Sequence, residues 1–437
     1  MQTRLAPALR EVPSAAQAAR LIGACVHCGF CNAACPTYRL MGDELDGPRG
    51  RIYLVRGLLE TGSASGLTRQ HLDRCLTCRA CETACPSGVE YGGIVDAGRE
   101  LMQAVAPRSG WGARQRALLR GTLKRTRLLS ALLSVARVCR PLLPADWQRR
   151  IAQHQHSRRS ATRGAASVKT GRRVLRLAGC VQPALLPGIG ASTTRLLAAL
   201  GIDSVFAPRA GCCGALAQHL DDQQGALEQA RRNIDAWWPA IEAGAEAIVV
   251  DASACGLMLR EYGARLAHDA AYADKAARVS ALVLDVAEFV AREWPQAGSA
   301  ARTSMVAVRA RVAFQSPCTL QHGLRVRGVI ETLLTRAGAE LLPVADAQQC
   351  CGSAGAWSLL EPGLAAELRT RKLDALGAAR PDVILSANVG CIAHLGAGTD
   401  IPVQHWVEWL VDRIPIDRGA RERAEQRVAD IAGAQHA

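Results

Sequence analysis

The sequence predicts a mixed fold: a helical amino-terminal unit built around two four-cysteine runs, followed by two tandem copies of an α/β unit. Three observations predict it. One cysteine pattern occurs twice within residues 1–105, the chain repeats itself from Val174 onward, and the stretch between them is strongly basic. The expected boundaries are 1–105, 106–172 for a basic helical segment and linker, 173–300 for the first copy and 301–437 for the second.

The amino-terminal pattern reads Cys25-x2-Cys28-x2-Cys31-x3-Cys35-Pro36, and again Cys75-x2-Cys78-x2-Cys81-x3-Cys85-Pro86. Three thiolates two residues apart let one tight loop wrap three corners of an iron-sulfur cube. The fourth cysteine is carried away before a proline. That is the bacterial ferredoxin run, whose fourth cysteine ligates the other cluster. The expected ligand sets are therefore Cys25, Cys28, Cys31 and Cys85 for one [4Fe-4S] cluster, and Cys75, Cys78, Cys81 and Cys35 for the second. Structural zinc also uses Cys-x2-Cys pairs, but it gives no reason for a tripled pair with a trailing Cys-Pro, twice.

At 437 residues, with 49% hydrophobic and 21% charged residues, the chain has an ordinary globular balance and room for several cores. Its 17 cysteines sit in metal-ligand spacings rather than a secreted disulfide framework. Met1 to Val12 carries Arg4, Arg10 and Glu11 and shows no apolar signal-peptide core, so a reducing cytoplasm is expected. No stretch approaches the roughly 18–20 apolar residues of a membrane span, so any membrane contact is expected to be peripheral, on the inner face of the cytoplasmic membrane.

The net charge of +14 is local: Arg108 to Arg173 holds seventeen Lys or Arg against one acid, Asp146. Within it, Leu128, Leu129, Leu132, Leu133, Val135 and Val138 lie at helical spacing among Arg125, Arg127, Arg137 and Arg140. This is a basic amphipathic helix ended by Pro141 and Pro144. It fits either a helix packed on its own protein or a surface for anionic lipid or an acidic partner. His154 to Gly171 reads as a mobile linker, and Cys139 as a buried inert thiol. Only Trp111 and Trp147 interleave these arginines, thin support for stacking on nucleic acid, and no nucleic-acid partner is expected.

In the amino-terminal unit, residues 14–24 form an Ala-rich helix. The 39 residues between Cys35 and Cys75 carry a second helix through Ile52, Leu54, Val55, Leu58 and Leu59, and Ile94, Val95, Leu101 and Met102 mark an exit helix.

From Val174 the spacing repeats. Cys180, 31 residues, Cys212-Cys213-Gly214 and Cys255 recur as Cys318, 31 residues, Cys350-Cys351-Gly352 and Cys391, at offsets of 138 and finally 136. This is a tandem duplication. Cys180, Cys255, Cys318 and Cys391 each follow a short apolar run: Val174–Ala178, Ala247–Val250, Val312–Phe314 and Val383–Leu385. Helical patterns at Thr193–Leu200 and Val329–Arg336 lie between them. Ligands in open α/β sheets gather at the carboxyl ends of strands, so each copy should bring its four thiols together. Their occupant stays open between a further cluster, zinc and free thiols. His219 and His322 flank these motifs and read as hydrogen-bonding residues rather than ligands.

No dinucleotide fingerprint is present, since Gly188-Ile189-Gly190 is followed by Thr193 where a third glycine belongs. A P-loop and a His-Glu-x2-His site are also absent.

The chain resembles the iron-sulfur subunits of bacterial glycolate oxidase. The resemblance rests on two ferredoxin motifs followed by two cysteine-rich CCG domains. It rests also on Gly179-Cys180-Val181-Gln182-Pro183, Pro317-Cys318-Thr319-Leu320-Gln321-His322, Cys350-Cys351-Gly352-Ser353-Ala354-Gly355 and Ala387-Asn388-Val389-Gly390-Cys391. The same domain order occurs in an anaerobic glycerol-3-phosphate dehydrogenase subunit and a heterodisulfide reductase subunit. The resemblance implies an electron-transfer subunit that is not catalytic alone. It would take electrons from FAD-containing glycolate oxidase subunits, which oxidise glycolate to glyoxylate, and pass them toward a quinone-type acceptor. In heterodisulfide reductases each CCG motif ends Cys-x2-Cys, whereas here Met258 and His394 stand at the last position, which argues against thiol chemistry at these sites.

Overall fold

The computed structural model describes residues 2–162, 171–294 and 309–413. Helices Pro13–Gly23, Pro48–Thr61 and Tyr91–Val105 pack around one amino-terminal core that holds Ala15, Ala18, Ile22, Val55, Leu58, Leu59, Ile94, Val95, Leu101 and Met102. The first two helices open with proline, whose fixed φ suits the first turn and whose missing N–H costs nothing there. Gly98 lets the exit helix come close to the second helix, since an added Cβ would lie 2.6 Å from Val55 Cγ2.

The cysteine-rich region folds as two four-stranded parallel sheets. Strands β1 (Arg173–Arg176), β2 (Asp203–Phe206), β3 (Ile248–Val250) and β4 (Val283–Asp285) form the first, in the order β2-β1-β3-β4. Strands β5 (Ala310–Gln315), β6 (Ala339–Leu341), β7 (Val383–Ser386) and β8 (Val403–His405) form the second, in the order β6-β5-β7-β8. The identical order is the duplication seen in three dimensions. Strands β3 and β7 are buried at every residue, which is why they read as unbroken apolar runs. The repeat extends past the cysteines: β4 and β8 each run into a helix closed by a capping box, Asp285 with Glu288 and His405 with Glu408. One buried apolar cluster runs through both copies, from Val174 and Leu197 to Phe314, Leu333 and Trp406.

The basic segment differs from its expected form in three respects. Helix Ala145–Ala161 continues through His154, burying Ile151, His154 and Ser157, so that stretch is a packed helix rather than a linker; residues 163–170 lie outside the described residues. Its packing partner is the helix Pro187–Ala199 of the first copy, a long-range contact that local composition does not reveal. Cys139 is exposed, not buried. Several arginines pair with carboxylates of the same chain. Arg108 and Arg116 both pair with Asp73 and Asp221, tying the amino-terminal unit to the first copy, and Arg149 pairs with Asp400. Helix Thr126–Val138 buries none of its residues fully, and Leu132, Val135 and Val138 are exposed. Among the described residues, no helix is long and apolar enough to cross a membrane.

Candidate metal centres

The two ferredoxin loops have the same backbone. His27 and Gly29 in the first, and Thr77 and Arg79 in the second, adopt positive φ at matching positions within Cys-x2-Cys-x2-Cys. Three of these four are not glycine, so the loops store conformational strain of the kind that collects at ligand sites, on the order of 1–3 kcal/mol each. Two cavities result. One is lined by Cys25, Cys28, Cys31, Cys81 and Cys85; the other by Cys35, Cys75, Cys78 and Cys81. Pro48, Cys81 and Tyr91 line both, so the cavities adjoin. The fourth cysteine of each run has thus crossed to the other loop's cavity.

Donors surround the sulfurs. The Thr77 and Val89 backbone N–H groups donate to Cys75 Sγ and Cys85 Sγ at 3.4 Å each, and the Tyr91 hydroxyl donates to Cys75 Sγ at 3.8 Å. Arg51, fully buried, approaches Cys35 Sγ at 3.9 Å and donates to the His71 carbonyl at 2.7 Å and Asp46 Oδ1 at 3.3 Å. Burial pushes the Cys31 thiol up to about 11, and burial likewise raises Cys78 and Cys81 well above their ordinary range. Such thiols ionise when metal replaces the proton. At least four sulfurs line each cavity, with backbone N–H donors at both and the buried Arg51 guanidinium at the second, and this fits thiolate-ligated iron-sulfur clusters.

In the cysteine-rich copies every thiol lies beyond a strand end. Cys180, Cys212-Cys213 and Cys255 follow β1, β2 and β3; Cys318, Cys350-Cys351 and Cys391 follow β5, β6 and β7. The switch in strand order falls between β1 and β3, and between β5 and β7, where such sheets hold ligands. Gly214 and Gly352 follow the paired cysteines at φ +98 and +86, and an added Cβ would lie 3.0 Å from Ala226 O and 2.8 Å from Ala365 O. Only glycine serves there.

Sequence reasoning placed four thiols in each of two separate sites. The eight thiols instead line one cavity of about 210 Å³, which also reaches Leu76, Thr77 and Arg79 of the second ferredoxin loop. Cys318 Sγ and Cys350 Sγ are 3.9 Å apart, and Asn388 Nδ2 donates to Cys391 Sγ at 3.6 Å. In the first copy, hydrogen bonds from Cys180 and Cys213 hold the Cys212 thiol well below its ordinary range, while theirs rise. Each set of four thiols has the donor count of a four-thiolate centre, iron-sulfur or zinc.

His219 lines this cavity, and burial lowers its pKa to about 4. The His322 ring is bonded to Thr83 Oγ1 at 2.9 Å and to the Gln348 carbonyl at 3.0 Å. Met258 and His394 both pack under the conserved-geometry glycines: Met258 Cε lies 3.3 Å from an added Gly214 Cβ and His394 Nε2 lies 3.4 Å from that of Gly352. Lys372 and Asn233, buried beside the two Cys-Cys-Gly loops, were not foreseeable. Each sits in a helix whose sequence pattern gives a polar residue no reason to point inward.

Comparison with known proteins agrees with this geometry. Residues 22–89 match the 4Fe-4S dicluster domain, and residues 174–260 and 312–396 match the CCG cysteine-rich domain. The chain is 46% identical over 408 residues, 93% of its length and 98% of the relative's, to the glycolate oxidase iron-sulfur subunit of Escherichia coli. It belongs to the glycolate oxidase iron-sulfur subunit family. A Bacillus subtilis protein named probable glycolate oxidase iron-sulfur subunit is 28% identical over 86% of the chain and 88% of its own length. Lactate utilization protein A of Shouchella clausii is 24% identical over 53% of the chain and 95% of its own length. As a member of this family, with a helical ferredoxin-type domain ahead of tandem α/β CCG domains, the chain is an iron-sulfur electron-transfer subunit of an oxidoreductase.

Proposed function

We propose that the chain carries electrons from a flavin-containing partner that oxidises glycolate to glyoxylate toward a quinone-type acceptor. In this reading Cys25, Cys28, Cys31 and Cys85 hold one [4Fe-4S] cluster, and Cys35, Cys75, Cys78 and Cys81 hold a second. The observation that carries the reading is the pair of adjoining cysteine-lined cavities, each of which receives the fourth cysteine of the other run. Bound there, the clusters supply one-electron transfer. Oxidation of a 2-hydroxy acid releases two electrons, so FAD on the partner subunits must stand between substrate and this chain. The chain's own residues give the relay a direction. Cys28 is exposed at the surface, whereas Cys75, Cys78 and Cys81 are buried, so exchange with a partner occurs at the first loop and the second is kept from water. Arg51 offsets thiolate charge where water cannot.

The CCG thiols hold a further cluster or zinc at the bottom of the shared cavity. The chain works in the cytoplasm, and helix Thr126–Val138, with its exposed apolar residues and arginines, holds it against the inner face of the cytoplasmic membrane. Iron, sulfide and zinc analysis of the anaerobically purified chain tests the cofactor content. About eight iron atoms per chain means the two ferredoxin clusters alone, and about twelve or sixteen adds CCG clusters. About one or two zinc ions means zinc in the CCG copies. Iron well below about eight defeats the reading.

A further inference from the structure

The two CCG copies share a topology but not an environment. Ala226 and Ala365 occupy equivalent places, each beneath the glycine of its Cys-Cys-Gly loop. About two helical turns further on stand Asn233 in the first copy and Lys372 in the second. Both are buried, 1% and 3% exposed. Asn233 Nδ2 donates to the Cys212 carbonyl at 2.9 Å and leaves that copy neutral at this point. Lys372 Nζ donates to the Asp346 and Ala347 carbonyls at 3.1 and 3.0 Å. Those carbonyls belong to the segment that leads into Cys350-Cys351-Gly352, which sets the ammonium beside that loop; burial lowers the Lys372 pKa, and Cys351, Cys350, Asp346 and Cys391 oppose that lowering.

The copies also differ in how they meet the second ferredoxin loop: the first meets it through an ion pair between Arg79 and Glu261, the second through apolar packing that includes cysteines of both sites. Leu76, Cys78 and Ala80 of the second ferredoxin loop share one apolar cluster with Cys350, Trp357, Ala365 and Leu368 of the second copy, and Cys318 packs against it. The Trp357 indole N–H donates to the Asp73 carbonyl at 3.1 Å and pins that seam. The cluster that contains Cys213 and packs against Cys255 is made of first-copy residues alone.

We propose that the second CCG copy, and not the first, exchanges electrons with the cluster of Cys75, Cys78 and Cys81, and that the buried Lys372 ammonium favours the electron's residence there. This rests on the electron-carrier reading above. The step moves one electron from the second ferredoxin cluster to the centre held by Cys318, Cys350, Cys351 and Cys391; no bond forms or breaks and no proton moves. A positive charge in a low-dielectric site stabilises the more negative, reduced state, and net charge around a cluster sets its potential. Lys372 acts on the centre through its field, as a positioning residue.

The test is a redox titration of the full-length chain, reconstituted anaerobically with iron and sulfide and followed by electron paramagnetic resonance. The second-copy signal is the one lost in Cys318→Ser. Lys372→Met should shift its midpoint to more negative potential, Lys372→Arg should return most of the shift, and neither should move the two ferredoxin signals. A second measurement does not depend on Lys372: magnetic coupling between the second ferredoxin cluster and its CCG neighbour should vanish in Cys318→Ser and survive in Cys180→Ser. An unshifted midpoint in iron-replete Lys372→Met, coupling lost in Cys180→Ser instead, or a second copy without a redox centre overturns the proposal. Absence of the two ferredoxin signals from the wild-type chain would instead defeat the underlying reading. If Lys372→Met takes up no iron, the coupling measurement decides.

Discussion

The Arg51 guanidinium and the Asp46 carboxylate lie 3.3 Å apart with side chains 1% and 0% exposed. Asp46 also meets His71 Nδ1 at 3.0 Å and Arg74 at 2.8 Å, so one buried carboxylate holds three basic groups beside the second cluster cavity. Asp46→Ala removes the anion and leaves the guanidinium buried. Breaking a buried pair from one side costs about 3–5 kcal/mol, and that loss is expected in urea unfolding of the variant. A cost below about 1 kcal/mol would mean that the pair is not holding the loop.

Exchange of the fourth cysteine gives a sharp expectation for Cys35→Ser. Cys35 belongs to the first run but lines the cavity of Cys75, Cys78 and Cys81. The variant should lose or alter the spectroscopic signal that Cys78→Ser also affects, and keep the signal that Cys28→Ser affects. The opposite pattern would show that each run serves its own cluster.

Burial raises the Glu408 pKa to about 7 from an ordinary value of 4.5. A carboxyl raised on folding contributes stability that is complete below the unfolded value and is lost as pH climbs through the folded one. Between about pH 4.5 and 7, then, this group progressively destabilises the second copy. Glu408→Gln keeps an oxygen to accept the His405 N–H, now at 3.2 Å, and cannot ionise. The variant should match wild type at pH 4.5 and exceed it in thermal stability at pH 8. Equal melting at pH 8 would place Glu408 in water rather than in the core.

Peripheral attachment depends on which basic residues remain at the surface. Arg108, Arg116, Arg120 and Arg149 pair with carboxylates of the same chain, whereas Arg125, Arg127 and Arg137 are exposed. Binding to anionic lipid vesicles should therefore weaken in salt, with screening over roughly 8 Å at physiological ionic strength. It should fall sharply when Arg125, Arg127, Arg137 and Arg140 become Gln. Vesicle binding unchanged in that variant would remove the membrane reading.

The sequence carries more of the plan than of its electrostatics. Apolar runs ahead of Cys180, Cys255, Cys318 and Cys391 mark β1, β3, β5 and β7 because central parallel strands are covered on both faces, completely so in β3 and β7. The fixed offset between copies is legible because duplication preserves spacing. The single cavity shared by eight thiols is not, because it depends on how the two sheets face each other and the ferredoxin loop, which no local pattern encodes. Asn233 and Lys372 are hidden for a related reason: their partners are loop carbonyls more than twenty residues away. The fate of the arginines after residue 106 likewise depends on Asp73 and Asp221, remote in sequence.

The central claim is that this chain relays electrons and does not itself oxidise glycolate. The direct measurement is the visible absorbance of the anaerobically purified chain mixed with glycolate, alone and with its flavin-bearing partner subunits. The account predicts a brown, flavin-free chain that glycolate leaves unchanged, and bleaching of its broad cluster absorbance once the partners are added. Bleaching by glycolate in the chain alone, or tightly bound flavin in it, would contradict the account and make this chain the catalytic subunit.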